Sequence, residues 1–329
     1  MKSILLFTFF SGILILAGCT RDAPRDNPFD PENSLFHYAG EISGTVTQRY
    51  APYDPLDSVK VELLPEMISA YTNGNGSFRF RELAPGTRSL FLSKPGYESL
   101  LETVRVVSRQ IADPLFRLNG KPAIDSIRLS TRHIAHWSPI EHEYILSVTV
   151  RVNDRDGESD VDSVNMTIPK FAFSAGLSRR NVDGQYEATI FNSDFLPAAF
   201  SDLPGRDILF FATDRNGSVS DTIRTQIARI ITPTPATLSP GSLEAVEARP
   251  WFRWSSFEVG YTIIYWVSIF RLDDSGIPQF VQGSEPLTAS TLEWQVPDSL
   301  APALYYWTLT VTDHFGNSSS SKEATFTVQ

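Results

Sequence analysis

Apolar and polar residues alternate with a period of two along most of this chain, the pattern of strands that set one face in a core and the other in water. Residues 40–47 and 59–63 open the series, the second reading Val-Lys-Val-Glu-Leu. After the turn Asn73-Gly74-Asn75-Gly76, Phe78 and Phe80 fall on one face. Asn-Gly pairs supply the positive φ that a tight hairpin needs. Residues 90–92 and 104–106 add strands, divided by Pro-Gly turns at 85–86 and 95–96. The same alternation returns at 145–152, 208–212, 261–270, 292–296 and 304–311. The pattern predicts an all-β chain with three β-sandwich domains in series, over residues 39–118, 119–232 and 233–329. Thr232-Pro233-Thr234-Pro235 is read as a stiff linker at the second boundary.

The start of the chain breaks the pattern. Lys2 precedes an apolar run over residues 4–16, about a dozen residues, where a membrane-spanning helix needs about 20. That length suits the apolar region of a secretory signal. The run ends in Leu16-Ala17-Gly18-Cys19, which holds the chain's one cysteine. This tetrapeptide resembles the bacterial lipobox. The resemblance implies a lipoprotein signal peptide over residues 1–18, cleavage before Cys19, and lipidation of its thiol. Thr20 rather than Asp follows the cysteine, which by the same resemblance favours the outer membrane over inner-membrane retention. A bacterial cell-envelope protein held to the membrane by the lipid on Cys19 is therefore expected. Residues 19–38 carry Pro24, Pro28 and Pro31, which oppose helix and sheet, so they read as a short Pro-rich flexible tether.

Composition sharpens this. Once Cys19 is acylated no thiol is left for a disulfide, so the cores must supply the stability. The 42% hydrophobic share is ordinary for a globular chain, and the 12% aromatic share fits sheet. A net charge of -10 makes nucleic acid a poor partner.

Within residues 39–118, the order Thr72-x-x-x-Gly76-x-Phe78-x-Phe80-x-x-Leu83-x-Pro85-Gly86, a strand, then Pro95-Gly96-Tyr97 resembles the carboxypeptidase regulatory-like domain. That resemblance implies a small transthyretin-like sandwich without catalysis, and a folding or spacing role. The stretch from Tyr50 to Asp57 is an insert relative to the pattern. In residues 119–232, the strand 145–152 running into Asp154-Arg155-Asp156-Gly157-Glu158-Ser159-Asp160 and a further strand resembles immunoglobulin-like modules of bacterial surface proteins. In the last module, Pro250-Trp251-Phe252-Arg253-Trp254 and the Tyr305-Tyr306-Trp307 run resemble bacterial fibronectin type III modules.

A strand followed by Asp-x-x-Gly occurs three times, at Asp154, Asp214 and Asp313. The first copy is embedded in an acidic run. Asp154, Asp156, Asp160 and Asp162 are candidate calcium ligands, because Ca²⁺ takes oxygen donors, though the spacing is not that of an EF-hand loop. The competing reading, and the favoured one, is a solvated hairpin turn that uses Asp and Gly for local geometry. His133, His136 and His142, with Glu141 and Glu143, read as a loop around Trp137 and Pro139 rather than as a metal site; His314 reads as exposed in the last hairpin. Trp254, Trp294 and Trp307 either line a sugar-binding face or fill the core, and their alternating strand positions favour the core. No nucleophile elbow, zinc-protease helix, phosphate loop or dinucleotide fingerprint is present. The chain therefore reads as a non-catalytic binding, adhesion or spacer module without a cofactor, with envelope proteins or glycans as further partners. A carbohydrate-binding lipoprotein using exposed aromatics is the alternative; a hydrolase has no motif behind it.

Overall fold

The computed structural model describes residues 39–138, 142–180, 184–195, 199–273 and 275–329. The expected signal peptide, Cys19, the tether and Glu141 lie outside the described residues. Among the described residues there is no α-helix; strands joined by turns and short 3-10 segments make the fold. The described residues divide into two compact units, one of residues 39–95 with Ser99–Leu118, the other of Gly96–Glu98 with the described residues from Asn119 to Gln329.

The first unit pairs two sheets. In one, Gly40–Gln48 runs antiparallel to Ser77–Leu83 and parallel to Ile111–Ala112 and Leu115–Leu118. The other has the order Ile68–Tyr71, Lys60–Leu64, Gly86–Ser93, Leu100–Val106. Inward positions alternate as the sequence predicts, and bury Ile42, Val46, Val61, Leu63, Phe78, Phe80, Leu90 and Leu92. Each such side chain contributes about 1.5 to 3 kcal/mol by leaving water. The hairpin turn is built by Asn73, whose Oδ1 accepts the N–H groups of Asn75 and Ser77, both at 3.0 Å. Gly76 has φ +72°, and a Cβ there would stand 2.3 Å from the carbonyl oxygen of Val46. The insert closes on the core through Leu56, which is buried and donates its N–H to Val46 O at 2.9 Å.

The second unit holds two apolar cores. One gathers Leu146, Val148, Val150, Met166, Phe200, Ile208 and Phe210. It lies between a sheet led by the twelve-residue strand His142–Asn153, paired on one side with Ala123–Ala135 and on the other with Gln185–Phe191, and a sheet of Phe173–Gly176, Val161–Ile168, Ile208–Asp214 and Ile223–Thr225. The other core gathers Phe252, Trp254, Tyr265, Trp307 and Phe326, with rings of Phe252 and Trp307 edge to face at 5.0 Å. Its long strands Ile263–Leu272 and Ala303–Asp313 pair over nine positions.

The two cores of this unit share a sheet. Ser318–Ser320 pairs antiparallel with Ala303–Asp313 and parallel with Ala123–Ala135, in the register Ser318 to Arg132, Ser319 to His133 and Ser320 to Ile134. Side chains close the same seam. His136 Nδ1 meets Glu323 Oε1 at 2.7 Å, and Trp137 Nε1 donates to Glu323 O at 2.7 Å. Ser319 Oγ donates to Pro233 O at 2.7 Å, which fixes one end of the Pro-rich linker.

The histidine expectation changes here. His133 is not in a loop: it lies inside Ala123–Ala135, and His142 begins the partner strand. His133 is buried, stacks on Tyr144 at 4.2 Å, and meets His142 Nδ1 through its Nε2 at 2.9 Å. Apolar alternation is hard to see through this stretch because Arg, Thr and His occupy the strand end. His314 is exposed, beside the ring of Phe315.

Candidate metal centre

The Asp-x-x-Gly turn makes two hydrogen bonds common to all three copies, while only Asp214 and Asp313 also accept, through Oδ1, the N–H four residues on, from Ser218 and Asn317. Asp Oδ1 accepts the N–H two residues on: Asp156 N to Asp154 at 2.8 Å, Asn216 N to Asp214 at 2.9 Å, Phe315 N to Asp313 at 2.9 Å. The glycine N–H donates to the Asp carbonyl at 3.1 Å in each. Gly157, Gly217 and Gly316 have φ of 105°, 85° and 86°, which is the left-handed backbone glycine adopts without steric cost. So Asp and Gly make the turn, as the sequence predicts.

The second carboxylate oxygen separates the copies. Asp313 Oδ2 accepts from Asn317 Nδ2 at 3.1 Å and stands 3.6 Å from the Arg229 guanidinium. Asp214 Oδ2 accepts from Asn119 Nδ2 at 2.6 Å. Asp154 Oδ2 is shut off from solvent and has no hydrogen-bond partner.

Around that oxygen the chain gathers more acid. The 3-10 turn Glu158–Asp160 folds Asp160 back, so that one carboxylate oxygen each from Asp154, Asp156 and Asp160 lie within 4.8 Å of one another. Asp154 is 8% exposed and Asp160 5% exposed, so the carboxylates are not on a solvated turn. Asp162 is exposed and stands outside the group, because it falls in the register shift between Val161 and Ser163, where the alternation that buries Val164, Met166 and Ile168 is broken.

Two further segments complete the surroundings. Gly120 N–H donates to Asp156 Oδ2 at 2.7 Å. Asn216 Nδ2 reaches Asn119 Oδ1 at 2.7 Å and Asp160 Oδ2 at 3.3 Å, and Arg215 N–H donates to Asp160 O at 2.9 Å. Asp214 is placed here by the pairing of Ile208–Asp214 with Val161–Ile168, which sets Val161 opposite Asp214. Asn119, Asp214 and Asn216 were not among the sequence candidates. The second Asp-x-x-Gly copy was the available signal, but its place beside the first follows from strand register, which one sequence does not display. Among the described residues, no lysine or arginine side chain forms an ion pair with Asp154, Asp160 or Asp214. Burial, with the negative charge of Asp156, Asp160 and Asp214 beside it, pushes the Asp154 carboxyl up to about 6.

The tryptophans settle in the core. Trp254 and Trp307 are fully buried and Trp307 Nε1 donates to Pro240 O at 2.7 Å; Trp294 packs half-buried against Phe252. They offer no exposed sugar-stacking face.

A family model for the carboxypeptidase regulatory-like domain matches residues 41–119. This stretch is a carboxypeptidase regulatory-like domain. The domain takes in the Tyr50 to Asp57 insert and the Asn73 hairpin described above, and accounts for less than half of the chain. Among curated proteins, none matches. Among solved structures, the chain is similar to BcpA, the major pilin subunit of Bacillus cereus, at 12% identity over 86% of this chain and 92% of that one, with a TM-score of 0.31. It is similar to the FN1–FN3 domains of chicken CNTN1 at 12% identity, over 82% and 90%, with a TM-score of 0.34. A DUF3823 family protein from Bacteroides ovatus aligns at 12% identity over 58% and 100%, with a TM-score of 0.25.

Proposed function

We propose that this is a non-catalytic, lipid-anchored protein of a bacterial cell envelope, whose β-sandwich body serves as a spacer, adhesion or binding scaffold. The observation that carries the reading is the shared sheet of the second unit. Ser318–Ser320 laid against Ala123–Ala135 makes one continuous sheet of two cores, so the loops of both are held on a common frame. Such a frame suits presentation of a surface at a distance from a membrane. Four buried polar groups of this unit serve turns and the seam between cores: Asp214 and Asp313 cap hairpins, and Asn317 and Ser319 tie strands. Lipidation at Cys19 supplies the membrane partner in this reading, and envelope proteins or glycans are the partners of the body.

Membrane fractionation of wild type and a Cys19→Ala variant, beside protease treatment of intact cells, tests it. Release of the variant from the membrane fraction supports the anchor, and equal retention of both forms opposes it. Cleavage on intact cells favours adhesion, whereas protection until the outer membrane is opened favours a periplasmic scaffold.

A further inference from the structure

We propose that Asp154, Asp156 and Asp160 bind a calcium ion, in a pocket walled by Asn119, Gly120 and Asn216. Three copies of one turn provide the internal comparison. In the copies at Asp214 and Asp313 the second carboxylate oxygen meets an Asn amide donor. In the copy at Asp154 that oxygen is buried, has no donor, and belongs to a side chain more than nine-tenths removed from water. A buried anion without a partner is strongly disfavoured, and further anions beside it raise the penalty. One carboxylate oxygen each of Asp154, Asp156 and Asp160 lie within 4.8 Å of one another. A cation at this point relieves all three charges at once.

The donor set selects the class of ion. Every side-chain donor here is oxygen or amide; no His or Cys takes part, which disfavours zinc. Ca²⁺ accepts six to eight oxygens in irregular arrangements, and water and backbone carbonyls commonly complete its shell, whereas Mg²⁺ demands a near-octahedral one. Asp214 is not counted as a ligand, because Asn216 N, Ser218 N and Asn119 Nδ2 occupy its two oxygens. It adds negative charge to the pocket. Bound calcium would add a further tie between the acidic turn, the Asp214 hairpin and the Asn119 segment, which already meet through hydrogen bonds at Asp156, Asp160, Asp214 and Asn216.

The test uses the full chain purified from membranes in detergent and stripped with a chelator. Calorimetric titration with CaCl₂, and separately with MgCl₂, is read beside thermal melting by circular dichroism. One Ca²⁺ per chain is expected, with a Kd at or below the range of extracellular modules, about 0.1 to 1 mM, and weaker Mg²⁺ binding. The melting temperature should rise with calcium by several degrees. Asp154→Asn keeps the turn acceptor and removes the unpartnered charge. It should melt no lower than wild type without calcium, and lose at least about tenfold in affinity. Asp162→Ala, at an exposed position outside the group, should titrate like wild type. Absence of binding and of any melting shift in a folded wild-type protein overturns the proposal. So does an Asp154→Asn variant that binds as wild type does, or an equal loss from Asp162→Ala, which would mean diffuse attraction to an acidic surface.

Discussion

Asn317 Oδ1 accepts two hydrogen bonds from Thr131, one from its backbone N–H and one from its hydroxyl, both at 2.9 Å. Both residues are buried, and 186 positions of sequence separate them. The same Asn donates through Nδ2 to Asp313, the cap of the last hairpin. One side chain thus closes the turn of one core and holds the strand edge of the other.

Asn317→Ala removes these bonds together and leaves the Thr131 N–H and hydroxyl buried without partners. A loss of about 2 to 4 kcal/mol is expected, since each stranded buried group costs about 1 to 3 kcal/mol. Thr131→Val removes only the hydroxyl and should cost about 1 kcal/mol. Urea denaturation of both and of the double variant measures their coupling, which should be well above zero for residues in contact.

Trp307→Ala should destabilise the second unit by about 3 to 5 kcal/mol, because the ring is fully buried against Phe252 and its N–H is spent on Pro240 O. Circular dichroism in urea reads this directly. Any loss of glycan binding in that variant would report unfolding, so a glycan screen should substitute exposed rings such as Trp251 or Phe280 instead.

Acid should loosen the same unit through His133. Burial, then the neighbouring His142, lowers its pKa from 6.5 to about 4. The folded value lies below the unfolded one, so the unfolded chain binds the extra proton first. Stability from this group is complete above about pH 6.5 and is lost as pH falls towards 4, by at most about 3 kcal/mol. Among the described residues, the groups that face its ring are His142, Tyr144, Ser319 and the backbone of Ile231 and Thr232. His133→Gln should flatten the fall in urea midpoint between pH 7 and 5.

Gly76→Ala in the regulatory-like domain meets both a positive φ and the Val46 carbonyl at 2.3 Å. It should cost more than about 2 kcal/mol. Gly74→Ala, two residues earlier in the same turn, meets no heavy atom within 4 Å and should stay within about 1 kcal/mol of wild type. Urea midpoints of the two variants check the contrast.

Strands such as 59–63, 145–152, 208–212 and 304–311 and their turns were legible in the sequence, because a period of two and the Asn, Asp and Gly of hairpins are local signals, whereas Ala123–Ala135 and Gln185–Phe191 were not marked out by it. The seam between the two cores was not. Its strand is Ser318-Ser319-Ser320, which shows no apolar alternation, and its parallel partner lies far off in sequence. The acidic turn was legible as a cluster, but not its depth. Asp160 is buried because a 3-10 turn folds it inward, and Asp162 is exposed because it falls in the register shift at the start of the next strand. Asp214 joins through the pairing register of Ile208–Asp214 with Val161–Ile168, and Asn119 through its hydrogen bonds to Asp214 and Asn216, contacts the local pattern does not encode.

The intact mass of the protein extracted from membranes tests the anchored-envelope reading most directly. A mature chain that begins at Cys19 and carries the added mass of acyl groups is the predicted result. A chain that retains residues 1–18, or begins elsewhere without lipid, would contradict it.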